Sequence, residues 1–448
     1  MNSLKNITFS LLAAVALLAQ TVSCKEKPAF GRTPSVSLVG SMTLEEKLNL
    51  LTVSLNEYGM PDSTHGLHRL GIPSVRFVSV PGFDHRVLNS MCLSRNTELA
   101  FQYGQCKSLE KRLASPGALE IALLDASFLE ESELPYTILR SIAEGMSETG
   151  GIVALMHRQP ECDSCSMIFG HSSLKLALSD SASQVLASLR NGNDLFACLS
   201  SDPADAIADA VNEGLLTGTD LDRKVTFFLD CLSDYLNGNP EPFELPDIVC
   251  QPGLLERECA RQGAVLIRNE NTLPFVEGKT EHIALYGLTS YDSSLALDRI
   301  LAGSSFRLEP AVCNMYRHLL QLPDSTARSG SLDRKPFQYR ADAIQTDVAV
   351  IAVSGDCSWN SKLIADVSEA FHFKSRKVVL VLDEQACQSL SDCIGLADAA
   401  LVVSWVGSET SKAVSDILKG DLNPSGKLFH DIPGNGGLYS SGFGLNLP

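Results

Sequence analysis

Two different spacings of apolar residues run along this chain, and they alternate. Ser41-Met42-Thr43-Leu44-Glu45-Glu46-Lys47 opens a helix, with Thr43 as N-cap, Glu45 and Glu46 near the positive dipole end, and Leu44, Leu48 and Leu51 on one face. Gly71–Val78 reads as a turn into a buried strand, and Gly151–Met156 and Leu174–Leu178 read as two more buried strands. Helical spacing fills the intervals at Glu98–Arg112, Leu134–Ser147, Ser181–Leu189 and Ala204–Glu213. After a Pro-, Gly- and acid-rich stretch over Asn237–Pro252 the alternation resumes. The spacing predicts a helix over Leu254–Ile267 and strands at Ile283–Gly287, Val348–Val353, Val378–Leu382 and Ala400–Ser404. Helices are expected at Lys362–Phe371 and Ser411–Leu418, while Gly303–Arg340 carries little periodicity. Strand–helix alternation of this kind calls for parallel sheets covered by helices.

The N-terminus follows neither pattern. Lys5, an apolar run over Ile7–Leu18 and small residues up to Ser23-Cys24 predict a signal peptide over residues 1–24. A Cys at that junction resembles a bacterial lipobox, with Thr21 where Leu is usual. The reading is an exported protein of the bacterial cell envelope, lipid-anchored at Cys24, with plain secretion as the alternative. Residues 25–40 read as a linker, 41–237 as a first domain, 238–252 as a second linker and 253–448 as a second domain.

Composition narrows the function. The chain has 448 residues, 44% of them hydrophobic, and a formal net charge of −17. It contains no Lys/Arg run, which argues against a nucleic-acid partner, since such partners need clustered cations. Thirteen Cys spread over so long a chain do not form a small disulfide scaffold. His157, Cys162, Cys165 and His171 have zinc-like spacing, but a single Cys-x-x-Cys in an exported chain reads as a disulfide or coincidence. The sequence implies no metal and no cofactor.

Five segments, in order, resemble family 3 glycoside hydrolases, the β-glucosidase family. They are Met42–Lys47, His68–Phe77, Arg261–Pro274, Gly420–Leu428 and Ser441–Leu445. The resemblance implies a (β/α) TIM-like barrel followed by an α/β sandwich domain, and, with the chain ending at Pro448, no third, fibronectin-like domain. The first domain, about 200 residues against the usual ~250 for such barrels, is expected to be incomplete or shortened by one or two β/α units or by cut loops.

The resemblance also implies a site. Retaining glycosidases use two carboxyl groups, a nucleophile and an acid/base. Leu176-Ala177-Leu178-Ser179-Asp180-Ser181 fits the family's nucleophile motif and puts Asp180 in the nucleophile position, with helix capping as the alternative role. Ala187–Leu195 resembles the family's next strand. The acid/base place corresponds to Ser354–Lys362, where Asp356 is the only carboxyl and a weak candidate; Trp359 there is a stacking or interface residue. Ser79 stands where the family has a sugar-binding Asp, with Asp84 displaced nearby. His157 keeps the His of a Lys-His pair, Met156 replaces the Lys, and Arg158 follows. The expected partner is a β-glycoside, with the membrane met only through the lipid. Two readings stay open: retaining hydrolysis of β-glucosides or related glycans with weak or lost activity, or a non-catalytic cell-surface paralogue that binds glycan or protein.

Overall fold

The computed structural model describes residues 28–80, 83–114, 119–126, 133–158, 173–237, 254–276, 282–289, 306–310, 312, 345–354, 361–405, 407–434 and 437–448. Within them the chain forms two sheets of some size, each with its own helices.

The first domain begins with the helices α1 (Ser35–Val39) and α2 (Leu44–Leu51). Thr43 Oγ1 accepts the Glu46 N–H at 3.3 Å, and Glu46 Oε2 accepts the Thr43 N–H at 2.9 Å, so a reciprocal capping box starts α2. Glu46 also takes Arg69 at 2.5 Å, which ties α2 to the turn over His68–Leu70. The Arg69 guanidinium lowers the Glu46 carboxyl to about 2.

The sheet runs β1 (Val53–Leu55), β2 (Pro61–Thr64), β3 (Arg76–Ser79), β4 (Glu120–Asp125), β5 (Ile152–His157), β6 (Leu174–Ser179) and β7 (Leu195–Cys198) in unbroken spatial order. β1 to β3 pair antiparallel, and β3 to β7 are parallel. A parallel bridge between Thr52 and Phe196 brings the two edge strands together, so the seven strands make a nearly closed ring. Alternation along the strands sorts their side chains. Leu123, Ala154, Met156, Leu174, Leu176 and Leu195 join one core. Ala122, Leu124, Val153 and Leu155 face the other way, into a core shared with helices α3 (His85–Ser94), α4 (Thr97–Ala114) and α5 (Glu133–Glu148). Helices α4 and α5 touch backbone to backbone. A β-carbon at Gly104 would lie 2.0 Å from Ile142 O, and one at Gly145 2.0 Å from Phe101 O, so only glycine fits at this crossing. Helices α6 (Ala182–Arg190), α7 (Pro203–Asn212) and α8 (Gly218–Asn237) follow in the same domain.

The second domain starts with α9 (Leu254–Gln262). Helical spacing predicted that this helix would run to Ile267. Instead it ends before Gly263, and Val265–Asn269 forms strand β8. The apolar run Val265-Leu266-Ile267 suits a buried strand as well as a helix face, and its pairing with a later strand decides the matter.

That sheet has the order β10 (Arg307–Leu308), β9 (His282–Thr289), β11 (Val348–Ser354), β12 (Lys377–Leu382), β13 (Ala399–Val402), then β8. Only the β13–β8 pairing is antiparallel. All seven residues of β11 are buried, because both faces are covered. One face packs with α10 (Ser361–Phe373) and α11 (Glu384–Ser389), the other with α13 (Gly407–Lys419), while α12 (Ser391–Ile394) follows α11. A hairpin of β14 (Ile432–Gly434) and β15 (Gly437–Tyr439) lies near the end. The late segments lock onto β8: Gly426 N–H donates to Ala264 O at 3.0 Å and Leu445 N–H to Leu266 O at 2.7 Å.

The domains meet along α3. Ser90 Oγ donates to Cys259 O at 2.8 Å, and Ser404 Oγ to Arg86 O at 2.6 Å. Arg95 Nη2 reaches Leu428 O at 2.7 Å, and Lys427 N–H reaches Leu93 O at 2.8 Å. The second domain therefore covers a helix that begins just beyond the C-terminal end of β3.

Candidate active site

Five parallel strands end on one rim, at Ser79, Asp125, His157, Ser179 and Cys198. Barrel enzymes build their sites at this end, because each strand delivers a loop there without disturbing the sheet.

Asp180 is the first residue beyond β6 and is exposed. Its backbone N–H donates to Gln184 Oε1 at 2.6 Å, so the Gln side chain folds back over the start of α6. Ser181 holds the N-cap position, and no side chain there caps the helix. Asp180 is thus not the side chain that starts α6, and its carboxylate stands on the rim. Leu199 N–H donates to Ser179 O at 2.9 Å and fastens the end of β7 to the residue before Asp180.

Ser79 is exposed at the end of β3, followed by the buried Val80. Asp84 is the N-cap of α3: Oδ1 accepts from the Arg86 and Val87 N–H groups at 2.9 and 3.1 Å, and Oδ2 takes the Arg86 guanidinium at 2.6 Å. Arg158 is exposed just after β5. Met156 is fully buried in the barrel core.

His157 is buried on the same side of β5 as Val153 and Leu155. Its Nε2 lies 2.6 Å from Asn193 Oδ1. Asn193 Nδ2 is committed to Ser188 O at 3.0 Å, so Oδ1 is the acceptor and His157 Nε2–H donates. Lys224 Nζ donates to Asn193 O, and its burial lowers the ammonium pKa despite the nearby Asp194. His157 therefore belongs to a polar knot joining β5, α6, α8 and the approach to β7.

Asp356, Trp359, Cys162, Cys165, His171 and Cys24 lie outside the described residues.

Two rim groups were missed from sequence. Asp125 is half-buried at the end of β4, opposite Met156 of β5. Its signal was the run Glu120-Ile121-Ala122-Leu123-Leu124-Asp125, four apolar residues between acids. Cys198 Sγ lies 3.5 Å from Ser201 Oγ and 3.7 Å from Ser200 Oγ. Burial raises this thiol, but hydrogen bonds from Ser201 and Ser200 outweigh it and lower the pKa.

Residues 264–445 match the glycosyl hydrolase family 3 C-terminal domain. The chain is related to glycosyl hydrolase family 3. Its fold resembles that of β-glucosidase 3B from Thermotoga neapolitana, solved with glucose, at 18% identity and TM-score 0.62, over 89% of this chain and 76% of that one. A β-glucosidase from Erythrobacter marinus gives 13% identity and TM-score 0.64, over 95% and 84% of the two chains. The family 3 β-glucosidase of Bifidobacterium adolescentis gives 17% identity and TM-score 0.57, over 88% and 71%. No curated protein matches the chain in sequence. At such identities the likeness is one of fold, a TIM-like barrel with an α/β sandwich domain.

Proposed function

We propose that the chain acts on, or binds, β-glucosides or related glycans at the rim of its barrel, with Asp180 in the nucleophile position. The observation that carries this reading is the exposed Asp180 directly beyond β6, with a carboxylate that α6 does not use as its cap. Such a group can attack an anomeric carbon as the glycosidic C–O bond breaks and the aglycone leaves as its alcohol, forming a glycosyl ester that water then hydrolyses with net retention.

The surroundings favour weak turnover. A buried Met156 has no charge to offer a sugar hydroxyl, and Ser79 offers a neutral hydroxyl where the family has a carboxylate. His157 is held by Asn193, and Asp84 is occupied by α3 and Arg86. We therefore expect the full chain to cleave an activated aryl β-glucoside slowly and a β-linked disaccharide not detectably, because only the disaccharide's poor leaving group needs a strong acid. Efficient disaccharide hydrolysis would show that a working acid/base completes the site. Inactivity on both, with measurable glycan binding by calorimetry, would favour the non-catalytic reading.

We place the protein in the cell envelope, anchored through Cys24, on the strength of the Lys5-led apolar run that ends at Ser23-Cys24. Replacement of Cys24 by Ala is expected to move the protein from the membrane fraction to the soluble fraction. An unchanged distribution would remove the anchor.

A further inference from the structure

The chain enters the fold at the end of the barrel opposite Asp180. Phe30 N–H donates to Leu70 O at 2.7 Å. Leu70 belongs to the turn over His68–Leu70, between the end of β2 and the start of β3. The start of β3 marks the N-terminal end of the parallel strands, whereas Asp180 follows the C-terminal end of β6. Ala29 is fixed as well: its N–H donates to Thr33 Oγ1 at 3.1 Å, and its carbonyl accepts the Thr33 N–H at 3.0 Å.

Helices close that end. α2 leads straight into β1, and Lys224 of α8 donates to Asn193 O just before β7. Lys47 of α2 pairs with Asp222 of α8 at 2.6 Å, and α1 packs on α8. Leu38, Leu48 and Phe228 of these helices share a core with Met156 and Leu176 of the strands. The outer side of the layer keeps aliphatic groups in solvent. Val36 of α1 is 72% exposed, and Leu44, the first residue of α2, is 41% exposed. Arg32 and Glu45 are exposed on the same stretch, so local charge is balanced and does not by itself select an occupant.

The tether selects it. Only Lys25, Glu26 and Lys27 separate Cys24 from Pro28, the first described residue. Fully extended, those four steps span at most about 14 Å. A lipid on Cys24 therefore draws the Phe30–Leu70 junction, and α1 behind it, close to the headgroups. Exposed aliphatic side chains with polar neighbours suit that layer.

We propose that the closed end of the barrel, through Val36 of α1 and Leu44 of α2, rests on the phospholipid bilayer, so that the rim with Asp180 opens away from the membrane toward glycans in solution. The proposal rests on the reading of Cys24 as lipidated.

The test uses the full lipidated chain, purified from membranes and added to preformed phosphatidylcholine vesicles carrying a nitroxide on the headgroup. Trp fluorescence is compared among the unchanged protein, Val36→Trp and Leu199→Trp, with Trp359 and Trp405 as background. Leu199 follows β7 on the rim and is 46% exposed. A strand of six residues, about 20 Å, lies between the two ends of the barrel. Val36→Trp is expected to lose most of its added emission to the nitroxide, and Leu199→Trp none of it. Leu44→Trp should behave as Val36→Trp does, and serves in its place if that variant folds poorly. Quenching of Leu199→Trp equal to or above that of Val36→Trp, on vesicle-bound protein, would overturn the orientation and leave the anchor standing. Bound protein in which neither added Trp is quenched would overturn the contact. Failure of the Cys24-bearing protein to bind the vesicles would remove the anchor and this proposal with it.

Discussion

Asp180→Asn is expected to lower turnover of an activated aryl β-glucoside by at least about a thousandfold while leaving the fold intact. The carboxylate that attacks the anomeric carbon is replaced by an amide of nearly the same shape that cannot form the ester. The carboxylate is exposed and does not cap α6, and the backbone N–H that bonds Gln184 survives the substitution. Thermal stability should therefore change by no more than about 0.5 kcal/mol, as for other surface exchanges. The two readouts together separate a nucleophile from a structural residue. Turnover that survives the substitution would place the chemistry on another carboxyl, and Asp125, on the same rim, would be the next to replace. A large loss of stability would instead make Asp180 part of the scaffold.

What the sequence disclosed follows from how each element is buried. β5, β11, β12 and β13 were legible because strands covered on both faces are written as nearly unbroken apolar runs, and β6 was legible although Lys175 interrupts its run. β1 and β2 were not, since Pro61-Asp62-Ser63-Thr64 has no apolar signature and its pairing with β3 is settled only in three dimensions. For the same reason the near-closure of the ring, through Thr52 and Phe196, was invisible. The site was legible as positions more than as contacts. Asp180 falls on the rim that its motif implied. Asp84 shows the limit: an Asp beside a turn reads equally as a sugar contact or a helix cap, and the Arg86 and Val87 N–H groups make it a cap. His157 shows another limit, because only the observed alternation along β5 puts it on the side of Val153 and Leu155.

Glu384 was wholly illegible, and it sets the other large expectation. In Leu382-Asp383-Glu384-Gln385 it looks like a surface acid in the first turn of a helix. The meeting of the domains buries it to 6% exposure, where it bonds the Asn89 side chain of α3, and its Oε1 has no partner. Among the described residues, Cys92 of α3, Cys387 of α11 and Asp383 are titratable groups that interact with it. Burial, reinforced by the Asp383 charge, pushes the carboxyl from 4.5 up to about 8, against the bonds from its own backbone N–H and Asn89. The folded protein therefore keeps this proton at neutral pH, while the unfolded chain has lost it. Unfolding releases a proton in that interval, so this group's contribution is greatest below about pH 4.5 and is lost as pH rises to about 8. The loss is on the order of 4 kcal/mol. Glu384→Gln keeps the shape and a bond to Asn89 but cannot ionise. Near pH 5 it should be as stable as the wild type within about 1 kcal/mol. By pH 8 it should be more stable by several kcal/mol. Urea unfolding of both proteins at a series of pH values gives the difference directly, with the other titrating groups cancelling. A difference that stays constant from pH 5 to pH 8 would mean that Glu384 is ionised, and solvated or paired, in the folded protein.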